Sequence, residues 1–176
     1  MLGNDVVDLQ LAKLQTRWKT EAFQQKVLHP IELDRFSSNP LCFTDFWKIW
    51  SIKETAYKAH QRRFNHSPRF NPFQFLVELL SENRSKVYIE NEEYNVISYV
   101  GNHFIYSTTE GKETCSIQNF NIEAENTLFS KNLNRKHLAE NLMKNENGIP
   151  FLVEANRCVP VSITHHGSYF AYLYSY

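Results

Sequence analysis

The sequence predicts an α+β fold, with one central buried helix packed by antiparallel sheet, and two observations carry that expectation. Phe43 to His60 contains neither Gly nor Pro and is long enough for about four to five helical turns. Phe73 to Phe120, by contrast, divides into short alternating runs separated by turn residues. In the helix, Ile49, Ile52, Ala56 and Ala59 fall on one face at ~100° per residue. Trp47, Trp50 and Tyr57 fall on roughly the opposite face, so protein should wrap most of its circumference.

Taken in order, the chain opens on Leu2 to Leu9, where Val6, Val7 and Leu9 predict a short strand. Gly3 gives backbone freedom just ahead of Asp5. Gln10 to Leu28 has helical spacing through Leu11, Leu14, Trp18, Ala22 and Phe23, and Leu28-His29-Pro30 breaks it. Pro30 suits the first turn of a short helix over Ile31 to Phe36, with Glu32 and Asp34 near its N-terminal end. The loop Ser37 to Pro40 leads into the central helix. Strands are expected at Phe73–Leu79, Lys86–Ile89, Tyr94–Val100, His103–Thr109 and Thr114–Phe120. Asn91-Glu92, Gly101-Asn102 and Glu110-Gly111 mark the turns of an antiparallel meander. Leu128 to Asn145 reads as an amphipathic helix ended by Gly148-Ile149-Pro150. Strands follow at Phe151–Val153, Val159–Thr164 and Tyr169–Tyr174, with His165-His166-Gly167-Ser168 as the hairpin turn.

The 176 residues predict a single domain over 1–176, with a core of globular composition at 42% hydrophobic and 14% aromatic. Formal net charge is zero, which gives no support to a nucleic-acid or membrane-surface binder. The charge is unevenly spread: residues 1–70 are net basic and residues 71–130 net acidic. Cys42, Cys115 and Cys158 are widely spaced and form no C-x-x-C, so they read as reduced, buried thiols of a cytoplasmic protein. No signal peptide or transmembrane run is expected.

Glu54 projects from the aromatic side of the central helix, with Lys58 one turn on. A simple i,i+4 ion pair there is worth ~0.3–0.5 kcal/mol. Flanking tryptophans, however, predict a partly dry site, where a carboxylate needs a partner. Asp5, the Glu54/Lys58 face and Ser162-Ile163-Thr164-His165 could converge. Two carboxylates with anionic substrate oxygens and water make a natural Mg²⁺ site. The seven histidines show no H-x-x-x-H spacing, so zinc has little support, and neither a phosphate-binding Gly-rich loop nor G-x-S-x-G occurs.

These residues resemble the 4'-phosphopantetheinyl transferase superfamily. Gly3-Asn4-Asp5 is followed after forty-four residues by Trp50-Ser51-Ile52-Lys53-Glu54-Thr55-Ala56-Tyr57-Lys58. That order is similar to the family's Gly-x-Asp and aromatic-small-x-Lys-Glu-small-x-x-Lys elements, with Thr55 in place of Ala or Ser. Ser162-Ile163-Thr164-His165 is similar to its Ser-x-Ser-His, with Thr164 replacing the second Ser, and Gly148-Ile149-Pro150 to the Gly-Lys-Pro before it. Phe23 to Glu32 resembles the segment preceding the family's second helix. The match is closer to the small holo-acyl-carrier-protein synthase type. The two-lobed type has a second acid two residues after the first, where this chain has Val7, with Asp8 one position later. The chain is long for the small type, and the meander from Phe73 to Phe120 is most of the surplus.

The resemblance implies a 4'-phosphopantetheinyl transferase-like fold and transfer of 4'-phosphopantetheine from coenzyme A to a serine of an apo acyl carrier protein, Mg²⁺-dependent, releasing 3',5'-ADP. It implies that Asp5 and Glu54 hold the metal against the pyrophosphate. Lys58, with Lys53 as a second candidate, neutralises phosphate charge; His165 lies near the coenzyme's other phosphate, and Ser162 shapes that turn. Glu54 or a metal-bound water would take the serine proton. The acidic carrier would dock on Lys13, Arg17 and Lys19. Small members resemble trimers with sites between subunits, which makes a homo-oligomer an expectation. The rival is a non-catalytic module on the same fold that binds coenzyme A or a carrier protein; in a third reading, a structural or partner-binding protein, Glu54–Lys58 is only an ion pair.

Overall fold

The computed structural model describes residues 1–110, 123–124, 140–155 and 157–174. The predicted strand Thr114–Phe120, Cys115 and most of the predicted helix Leu128–Asn145 lie outside them. Among the described residues, two five-stranded antiparallel sheets meet at the first strand, β1 (Asn4–Asp8), an edge of the first sheet that lies against the second. In the first sheet β1 is followed by β5 (Phe104–Thr109), β4 (Glu92–Val100), β3 (Arg84–Ile89) and β2 (Leu76–Leu79). Chain order along β2 to β5 is therefore the expected meander, and β1 caps it with Asp5 opposite Ser107. The second sheet runs β6 (Glu123–Ala124), β10 (Tyr169–Tyr174), β9 (Arg157–His166), β8 (Pro150–Glu154) and β7 (Leu142–Lys144).

The central helix, α4, spans Phe43–Phe64, 22 residues and about six turns. The Cys42 side chain accepts from Asp45 N at its start, and Asn65 adopts the left-handed conformation at its end. Arg62 and Arg63 fall in the last turn, where the helix dipole favours cations. Phe46, Ile49, Ile52, Ala56 and Ala59 pack with Val77, Val87, Val96 and Ile105 of the first sheet. Trp50 and Tyr57 pack partly buried against the same core. Arg62 then fastens α4 to the second sheet: its guanidinium donates to the carbonyls of Leu2, Pro150 and Val161. Burial pushes that guanidinium down to about 10.

Gly3 is needed because β1 passes directly over α4. A Cβ there would lie 2.1 Å from Thr55 O and 3.0 Å from Ala59 N, both helix backbone. Gly3→Ala is therefore expected to cost roughly 1–3 kcal/mol by overpacking, read from denaturant unfolding, and to push Asp5 away from α4.

Several elements differ from the sequence expectation. The helix expected over Gln10–Leu28 is three pieces: α1 (Leu9–Leu14), a 3₁₀ turn (Thr16–Lys19) and α2 (Glu21–Val27). Gln15 and Thr20 leave helical geometry, which lets Trp18 turn into the core against Phe43 and Phe46. α3 (Pro30–Ser37) has the expected Pro start and a capping box between His29 and Glu32. The run from Phe73 opens as a 3₁₀ turn, Pro72–Gln74, before β2. The turn between β3 and β4 is Glu90-Asn91, with Glu90 at φ +53°, one residue earlier than expected. Residues 142–144 are strand rather than helix, because Asn145 Oδ1 accepts from Asn147 N and Ile149 N and folds the chain back onto β8. Cys42 and Cys158 are exposed rather than buried.

His60, buried in α4, sits 3.0 Å from Tyr94 Oη. Burial lowers its pKa first; Glu90 and Glu92 oppose this, and His66 and Arg63 add to it. The folded pKa lies below the unfolded one, so the unfolded chain binds the extra proton first as pH falls through the ordinary imidazole range. Stability is expected to drop as pH is lowered from 7 to 5, and His60→Gln should flatten that part of the melting-temperature profile.

Candidate functional site

Asp5 lies in the middle of β1 and is nearly sealed, 4% exposed. Strand alternation puts it on the face toward α4, where the close passage at Gly3 brings it beside Lys58. Lys58 Nζ is 3.3 Å from Asp5 Oδ1, 3.5 Å from Glu54 Oε1 and 2.9 Å from Asn4 O. Two carboxylates forty-nine positions apart thus share one ammonium. The two bonded oxygens lie no farther apart than the sum of those spans, ~6.8 Å, which brings the two carboxylates within reach of a single octahedral cation after modest side-chain movement.

Glu54 faces the Lys58 ammonium and the Trp50 indole, which both favour its ionised form. Burial, then the negative Asp5, push its carboxyl above the usual range; Lys58 and Trp50 pull it back. The helix supplies this arrangement because Trp50, Glu54 and Lys58 recur every four residues.

The strand before the Gly167-Ser168 turn, β9, supplies the other wall. β9 turns Ser162, Thr164 and His166 to one side, toward β1. Thr164 Oγ1 is 2.9 Å from Asp5 Oδ1 and 3.3 Å from Val6 N. His166 Nδ1 accepts from Asp8 N at 2.9 Å, so the neutral ring carries its proton on Nε2. Burial lowers the His166 pKa, against the pull of Asp5 and Asp8. Asp8 caps α1 through Oδ1 and accepts from Ser168 N at 3.0 Å through Oδ2. Burial raises the Asp8 pKa, but those backbone donors outweigh it and hold the carboxyl below its ordinary value.

Of the residues singled out from sequence, Asp5, Glu54 and Lys58 come together. Ser162 is buried on the β1-facing side of β9. His165 is exposed and points to the other side, because β9 continues to His166 and the hairpin turn is only Gly167-Ser168. Lys53 is not brought to the site. Its ammonium is fully buried, 2.6 Å from Glu32 Oε2, 2.8 Å from Val27 O and 3.1 Å from Pro72 O. Burial lowers its pKa and Glu32 opposes the shift. Thr164 and His166 had no assigned role from the sequence, where Thr164 could be seen only as a substitution in a motif and Trp50 only as an apolar neighbour of Glu54.

The family model of the 4'-phosphopantetheinyl transferase superfamily matches residues 1–117, about two thirds of the chain, including Gly3-Asn4-Asp5 and Trp50 to Lys58. The chain belongs to the 4'-phosphopantetheinyl transferase superfamily. Among solved structures it is similar to a holo-[acyl-carrier-protein] synthase from Neisseria meningitidis, at 14% identity and a TM-score of 0.49, covering 62% of this chain and 97% of that one. No curated protein matches the sequence. The matched stretch ends before β9, so Thr164 and His166 reach Asp5 and Asp8 from outside it.

The donor set suits a hard dication. Asp5 Oδ2 is buried and meets no donor among the described residues, beside a second carboxylate. Those residues contain no cluster of three His, Cys, Asp or Glu side chains. Two protein carboxylates, with the other positions left to substrate oxygens and water, is the usual complement for Mg²⁺. No helix among the described residues is long and apolar enough to cross a membrane.

Proposed function

We propose that this chain transfers the 4'-phosphopantetheine group of coenzyme A to a serine of an apo acyl carrier protein. The carrying observation is the convergence of Asp5 and Glu54 on one Lys58 ammonium, in a chain of this superfamily. Asp5 and Glu54 would hold Mg²⁺, which supplies charge neutralisation at the coenzyme's diphosphate. Lys58, already balanced between two acids, would meet the charge that develops on the phosphate oxygens. In the transfer the serine oxygen bonds to the β-phosphorus. The bond from that phosphorus to the oxygen bridging the α-phosphate breaks, 3',5'-ADP leaves with the electron pair, and the serine proton passes to Glu54 or to water. Trp50 and the partial burial of Glu54 limit water at the carboxylate.

Lys13, Arg17 and Lys19 are exposed on α1 and the following 3₁₀ turn, beside the exposed Leu14. A basic surface with one apolar side chain suits an acidic carrier. Mass spectrometry of apo carrier incubated with this protein, coenzyme A and Mg²⁺ tests the reading. A gain of one phosphopantetheine, absent without Mg²⁺, is expected. Coenzyme A binding with no gain on any carrier tried would leave a binding module and refute the transfer.

A further inference from the structure

Asp5 is asymmetric. Its Oδ1 takes two donors, Thr164 Oγ1 at 2.9 Å and Lys58 Nζ at 3.3 Å, while its buried Oδ2 takes none among the described residues. The threonine hydroxyl has one proton and two acceptor positions. Val6 N–H donates to it, which uses a lone pair, so the hydroxyl proton is committed to Asp5. β1 is an edge strand of the first sheet, and Thr164 serves the Val6 N–H that its ladder does not pair. The threonine is 5% exposed, so water does not compete for either bond. Its branched Cβ restricts the hydroxyl's rotation in a strand.

On the functional reading above, we propose that Thr164 is a positioning residue for the metal, holding Asp5 through Oδ1 and leaving Oδ2 for the cation. It does so from a sheet outside the matched family segment, which makes the C-terminal β9–β10 hairpin part of the metal site without supplying a ligand.

The test is Mn²⁺ binding to the free protein, followed by the electron paramagnetic resonance signal of the unbound aquo ion, with thermal melts alongside. Thr164→Val keeps the shape and removes both hydrogen bonds. It is expected to weaken Mn²⁺ binding about 10–100-fold, the range for an outer-shell partner of a metal ligand. Thr164→Ser should restore it to within about threefold, since the hydroxyl inventory is the same. Should the valine variant fail to fold, Thr164→Ala carries the same comparison. Parent-like Mn²⁺ affinity in the folded valine or alanine variant overturns the positioning role alone. So does a serine variant as weak as valine. A parent protein that binds no Mn²⁺ overturns the positioning role and the metal-dependent reading together.

Discussion

Lys53→Met is expected to lower the melting temperature by roughly 6–20 °C. Removing one member of a buried ion pair costs ~3–5 kcal/mol, because the other charge is left without compensation. For a chain of this size each kcal/mol moves the midpoint by about 2–4 °C. The pair is Lys53 with Glu32, both essentially unexposed. Glu32 also accepts from His29 N at 2.8 Å and from Val77 N at 2.7 Å, and Lys53 from its side donates to Val27 O and Pro72 O. One carboxylate and one ammonium therefore join the end of α2, the start of α3, the middle of α4, the Pro72 turn and β2. Glu32→Gln should cost a similar amount. In the double variant the two losses should fall short of additivity by ~1–3 kcal/mol, the scale of coupling within a shared network. Urea unfolding of the four proteins reads this directly. The same series decides what Lys53 is for. A Lys53→Met protein that melts like the parent but loses coenzyme A affinity would return the lysine to the ligand site.

That outcome also bears on how far the sequence could be read. Lys53 and Glu54 are neighbours in the motif, yet successive helix positions diverge by ~100°, and Lys53 lies ~140° around the helix from Lys58. Helical geometry alone thus separates Lys53 from the other two, and Glu32 is what waits on that side. Asp5, Glu54 and Lys58 were legible because a strand and an uninterrupted helix fix which way each points, and Gly3 signals their close approach. The hairpin turn was drawn too wide, over His165 to Ser168, for a related reason. The residue that faces β1 depends on where the strand stops, and both histidines lie at that end. The break in the first helix carries no Gly or Pro, so nothing local announces it; Trp18 turning inward against α4 does. Thr164 becomes meaningful only when β9 and β1 are seen side by side, 159 positions apart.

Lys58→Ala should separate binding of the cation from transfer of the phosphopantetheine. The ammonium now stabilises Asp5 and Glu54 together, at 3.3 and 3.5 Å, and so competes with any dication for the same pair of carboxylates. Its removal leaves two negative groups facing each other with no counter-charge, which favours the incoming metal. At pH 8, chosen because Glu54 titrates above the usual carboxylate range, the alanine variant should bind Mn²⁺ more tightly than the parent. Transfer should nevertheless fall by roughly 10²–10³ in kcat, the loss typical of one preorganised group that meets developing charge. Glu54→Gln should fail differently: it keeps size and the Trp50 contact but loses a ligand, so Mn²⁺ affinity and transfer should fall together. Opposite signs for the two variants in the binding assay, with the same sign in the transfer assay, mean that the lysine acts on the substrate rather than only balancing charge in the free protein. If Lys58→Ala left transfer intact, its position between the acids would be an ion pair and nothing more. The acids would then have to carry the chemistry without it.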